Sequence, residues 1–95
     1  MFATIDSEST RHVRAYASVA EESTPVAIPE DLSRKVHEVL VLPTLPRIEG
    51  LAGALAEDAG LSDADSVTVE VWGLDFDHET ASLSRFLIER VSWKP

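Results

Sequence analysis

The sequence predicts an α+β fold in which two helices pack on one face of a small antiparallel sheet, and three observations carry that expectation. Residues 11–20 and 67–72 alternate apolar and polar side chains with period two, the mark of half-buried strands. Between them lie two stretches with apolar residues at helical spacing, each opened by residues that start helices. A final apolar stretch, residues 82–93, follows a turn-rich segment and closes a long hairpin with the strand before it. The expected order is strand, helix, helix, strand, strand, in one domain covering residues 1–95.

Residues 1–9 are mixed and polar, with Phe2 and Ile5 as their sizeable apolar groups, and read as an N-terminal arm or a short edge strand. In the first strand Val13, Ala15, Ala17 and Val19 point one way, and His12, Arg14, Tyr16 and Ser18 the other. The small alanines imply a close-packed layer on that face, most simply a helix. Residues 21–27 read as a loop, punctuated by Ser23, Thr24 and Pro25. Pro29 then opens the first helix, where its missing N–H is harmless, and Glu30 and Asp31 complement the positive end of the helix dipole. Leu32, Val36, Val39 and Leu40 fall on one stripe. Pro43 and Pro46 break the pattern, and Leu42, which precedes a proline, is pushed out of helical backbone, so the helix stops or kinks there.

Thr44 caps the second helix, whose buried side is Ile48, Leu51, Leu55 and Ala59 and whose end is Gly60. Ala52, Gly53, Ala54 and Ala56 make it slim. After a polar turn at residues 62–65, Val67, Val69 and Val71 alternate with Thr68, Glu70 and Trp72 in the second strand. For residues 82–93 the positions Leu83, Phe86, Leu87, Arg90 and Val91 also match a helix. The turn residues at 75–80, with Phe86, Ile88, Val91 and Trp93, favour a strand.

Charge is the feature that constrains partners most. Between residues 48 and 84 there are nine carboxylates and no Lys or Arg. Residues 1–47 hold seven acids and five bases, a net of -2, and residues 48–95 hold ten acids and three bases, a net of -7, which together give the formal -9. Such a field repels phosphates and anionic lipid and favours cations or basic proteins, so neither nucleic acid nor a membrane is an expected partner. The 44% apolar and 26% charged fractions match a folded domain. Arg outnumbers Lys, and acids outnumber both, a balance that suits a high-GC or halophilic source. The longest nearly uncharged apolar run, residues 39–46, is far below the roughly 20 residues of a membrane span, and the N-terminus has no leader pattern. The expected setting is the cytoplasm or the interior of a virus particle.

Catalytic and metal chemistry find little foothold. There is no cysteine, so thiolate zinc sites, iron–sulfur clusters and disulfides are excluded. No serine sits in a nucleophile elbow, and the four glycines build no phosphate loop. No cofactor is expected. Asp75, Asp77, His78 and Glu79 form a weak candidate cation loop, but counted from Asp75 the sixth and twelfth positions hold Thr80 and Phe86 where an EF-hand needs Gly and Glu. His12 and His37 occur singly in the sequence, with no neighbouring metal-ligating residue at ligand spacing. Tyr16, Trp72, Phe76 and Trp93 fall on strands or near strand ends, and Tyr16 and Trp72 are exposed aromatics if one sheet face stays bare. Arg85 and Arg90 lie on the last strand within reach of Glu70 or of an acidic neighbour.

Tyr16, Trp72, Phe76, Arg85, Arg90 and Trp93 are therefore the candidate interface residues. The leading expectation is a non-enzymatic protein–protein interaction or assembly module presenting a sheet face, a sheet edge and its termini to itself or to other subunits. A structural part of a large complex such as a tailed virus particle fits that description. The alternative is a small cation- or ligand-binding regulatory domain, and the third reading is a small oligomeric enzyme using His78 or His37 as base.

Overall fold

The computed structural model describes residues 11–58 and 65–94. Its order is β1 (Arg11–Val19), β2 (Glu22–Pro25), a 3-10 turn (Glu30–Leu32), α1 (Ser33–Val41), α2 (Leu45–Asp58), β3 (Ser66–Asp77) and β4 (Ser82–Trp93). The strands form one antiparallel sheet in the order β2-β1-β3-β4, with the helices on one face. This is the expected α+β class, with one added strand. The segment read as a loop contains β2, a short and fully exposed edge strand whose polar composition hides it from any periodicity test. Residues 1–9, Ala59, Gly60 and most of the turn before β3 lie outside the described residues.

Two tight connections explain the sheet. Val19 pairs with Glu22, which leaves Ala20 and Glu21 as a two-residue hairpin loop with φ of 51° and 72°. Positive φ at both positions is the primed turn that matches strand twist, here made without glycine. Asp65 latches it: its Oδ2 accepts from the Ala20 N–H at 2.8 Å and its own N–H donates to Ser18 O at 2.7 Å. At the other hairpin Asp77 pairs with Ser82, and Ala81, with φ 52°, closes a four-residue loop.

The helices are held from outside as well as by their own stripes. Pro29 precedes a 3-10 turn, and the α-helix begins only at Ser33. Leu42 is extended, so α1 stops before Pro43. The final carbonyls of α1 find arginines from elsewhere: Arg11 Nη1 donates to Leu40 O at 2.7 Å, and Arg47 Nη1 donates to Glu38 O at 2.8 Å. The first bond of α2 runs from the Ile48 N–H to Thr44 O, which makes Thr44 its cap position.

The core lies between α2 and the inner face of the sheet. Ile48, Leu51, Leu55, Val67, Val69 and Val71 are completely buried, joined by Val39, Ala15, Ala52 and Ala56. Burial of each large side chain stabilises by about 1.5–3 kcal/mol. The slimness of α2 has a use: a Cβ built on Gly53 would stand 3.5 Å from the Trp93 ring, so the indole lies against the helix. No helix among the described residues is long and apolar enough to cross a membrane.

Candidate functional site

Register decides what the uncovered face of the sheet displays. Cross-strand rows on that face run Tyr16–Thr68–Ser92, Arg14–Glu70–Arg90 and His12–Trp72–Leu87, and continue on the β3–β4 ribbon as Leu74–Arg85 and Phe76–Leu83. An irregularity makes the last rows possible. Val71 pairs with Glu89 but Trp72 pairs with Leu87, so Ile88 is a bulge residue. The bulge resets the parity of β4 and puts both Val91 and Phe86 on the helix side while Arg90 and Leu87 share the open face.

The centre of this face is a carboxylate that water barely reaches. Glu70 has a side chain only 9% exposed, although no helix covers it. Its Oε2 accepts from Arg90 Nε at 2.8 Å and Nη2 at 2.7 Å, and its Oε1 accepts from Trp72 Nε1 at 3.0 Å. Arg90 and the indole of Trp72 thus lie over the carboxylate and are both held in place by it. The apolar groups around this cluster stay open: Leu83 is 64% exposed, Phe76 48% and Leu87 40%.

The face is also cationic, against the sign of the whole chain. Arg14 and Arg85 are exposed and make no ion pair among the described residues. Their field is felt by His12, whose imidazole is pushed below its ordinary 6.5 by burial first and then by Arg14 and Arg85. By register, Glu70 is the one carboxylate on this face among the described residues, and it is matched by Arg90.

Of the residues the sequence singles out for an interface, the structure brings Tyr16, Trp72, Phe76, Arg85 and Arg90 to this one face. Trp93 lies on the other side, half-buried and packed against the core. Glu70 pairs with Arg90 and not with Arg85. Sequence reasoning passed over His12 and Arg14, whose signal was their place on the polar side of the first strand's alternation. It also passed over Leu74, which continues the Trp72 side of β3, and Leu83 and Leu87, whose face on β4 the bulge hides.

The cation loop is built as a turn. Asp77 Oδ1 accepts from the Glu79 N–H at 2.9 Å, and the His78 ring meets Phe76 edge-on at 4.8 Å. Asp75 lies on the helix side of the ribbon, opposite Ser84. No three His, Asp or Glu side chains among the described residues are grouped to hold a metal ion. His37 is exposed on α1, distant in sequence from this loop.

Three comparisons with known proteins return the same result: no family model matches, and neither a curated protein nor a solved structure is significantly similar to the chain.

Proposed function

We propose that this chain is a non-enzymatic protein–protein interaction module, a subunit of a larger assembly that docks through the open face of its sheet. The observation that carries the reading is the group of exposed apolar side chains Phe76, Leu83 and Leu87, with half-buried Leu74 among them, beside an indole fixed by a buried carboxylate. A contiguous apolar surface of this kind, rimmed by arginines, is what protein interfaces use. Trp72 adds a second support. An aromatic anchor already locked in one orientation loses little freedom on binding, which leaves more of its contact energy for affinity.

Docking by strand addition is less well served. β4 is a long edge, yet the bulge at Ile88 interrupts its ladder and charged Arg85, Glu89 and Arg90 line it, the devices that keep edges from pairing. The cation-binding alternative draws no support from a loop in which Asp77 is occupied by its own turn.

The test is light scattering coupled to size exclusion, on the chain in extract of its native source and purified at high concentration. The reading expects a species heavier than the monomer that dissolves in L83S/L87S, with the circular dichroism of the fold retained. A wild-type chain that is monomeric in both settings refutes it.

A further inference from the structure

The geometry points to an acidic protein segment with interspersed apolar side chains, laid across the open sheet face, as the partner of this module. This deepens the docking reading above and rests on it. The argument is charge complementarity. Arg14 on β1 and Arg85 on β4 stand at opposite corners of the face, separated by four residues along the strands and two strand spacings across, roughly 16 Å. Between them lie His12, Trp72 and Leu87, one level of the sheet that offers an aromatic and an aliphatic surface. A segment with two carboxylates flanking an apolar side chain meets both arginines and the indole at once. Neither arginine has to give up a partner among the described residues to do so.

The acidic surroundings of the face select among anionic partners. Glu70 neutralises Arg90, and Asp75, Asp77 and Glu79 stand at the far end of the ribbon on or beside the hairpin loop. A polyphosphate backbone carries a charge at every step and meets the carboxylates at the hairpin end as it tracks the sheet, in addition to the net -9 of the chain. A peptide places its carboxylates at intervals and puts apolar groups over the carboxylate's Trp72 and Arg90 lid. A second copy docked face to face opposes one cationic face with another, so an acidic segment of a different chain fits the face better.

Binding should be pH-linked through His12. Arg14 and Arg85 face this imidazole on the sheet, Arg11 and Glu30 line the hollow at its side, and Glu70 in the neighbouring row is committed to Arg90. Burial is the first cause that holds the proton off this imidazole, and Arg14 and Arg85 add to it; carboxylates arriving at the two arginines cancel their part, so the bound state takes up a proton and affinity rises as pH falls below the ordinary 6.5.

The experiment titrates the full chain with a fluorescent peptide alternating Asp with Leu and Phe, and in parallel with its Lys counterpart and a labelled oligo-dT. Expected are binding of the acidic peptide alone, tightening as pH falls below the ordinary imidazole value of 6.5, and roughly tenfold weakening in R14E/R85E. R14Q/R85Q, a milder change, should weaken it less, and R34E on α1 should leave it unchanged. The inference is overturned if the acidic peptide does not bind, if the Lys peptide or oligo-dT binds as well or better, or if R34E weakens binding as much as R14E/R85E. Should the chain form its larger species in light scattering while the acidic peptide fails, the partner chemistry is wrong and the docking module stands. Should it stay monomeric, the module reading falls first.

Discussion

Removing the lid over Glu70 is the perturbation whose size the structure sets most directly. Arg90 Nη2 lies 2.7 Å from Glu70 Oε2, with the carboxylate side chain 9% and the arginine 54% exposed. Unit charges at that separation attract by about 1.5 kcal/mol in water and about 6 kcal/mol at an effective dielectric of about 20. The half-exposed guanidinium places the pair toward the wet limit, and desolvation of the carboxylate offsets part of the gain. A net coupling of about 1–2 kcal/mol follows, above the roughly 0.2–1 kcal/mol of an exposed pair. The assay is a double-mutant cycle from urea unfolding of wild type, E70Q, R90M and E70Q/R90M. R90M should be the more damaging single change, because it leaves a buried carboxylate with Trp72 Nε1 as its remaining donor; E70Q keeps an oxygen for that indole. A coupling below about 0.3 kcal/mol, inside the usual error of additivity, refutes the claim that this cluster fixes the face.

Other consequences are as direct. Replacing Glu21 by Gly relieves a non-glycine residue at φ 72° and should raise stability by about 0.5–1 kcal/mol, read as an upward shift of several degrees in the thermal midpoint. An alanine at position 73 places its Cβ 2.5 Å from the Phe86 ring, so G73A should swing Phe86 off the sheet and lower stability by about 1–2 kcal/mol, with Phe86 ring resonances shifting by NMR. Asp58 titrates above its ordinary 3.8, through partial loss of water and then the hydrogen bond to, and repulsion from, Asp31. A raised folded value means the folded state holds the proton more tightly, so the penalty is present above the folded value and vanishes below the unfolded one. D58N should therefore raise the unfolding midpoint at neutral pH and have no effect well below pH 3.8.

The fold was legible where burial is one-sided. β1, β3 and α2 each carry an apolar stripe that reports which face is inside, and Pro43 marks the end of α1 without any tertiary information. β2 was illegible because nothing in it is buried; it exists through pairing with β1 and a primed turn made by Ala20 and Glu21, residues that do not advertise one. β4 was half-legible. Phe86 and Ile88 sit on even positions and Val91 and Trp93 on odd ones, a break in parity that reads as ambiguity between strand and helix until the bulge explains it.

The site was legible as residue types and not as a place. Aromatics on strands were readable, yet Tyr16 and Trp72 are half-buried and not exposed, and Trp93 lies with the helices because its register with Val67 and the bare Gly53 put it there. The acidic tract between residues 48 and 84 dominated the sequence, but its carboxylates disperse over α2, the turns and the helix side of the ribbon. Among the described residues, Glu70 is the one that reaches the open face. The charge pattern on which the proposed docking rests is the cationic minority that the sheet gathers from β1 and β4, residues far apart in sequence and joined through β3.

Photo-crosslinking in extract of the native source tests the central claim most directly. A photoreactive residue replaces Leu87 on the open face in one sample and Lys35 on the helix layer in another. The account predicts a discrete protein adduct from position 87 and none from position 35. Adducts from position 35 alone, or from neither position, contradict it.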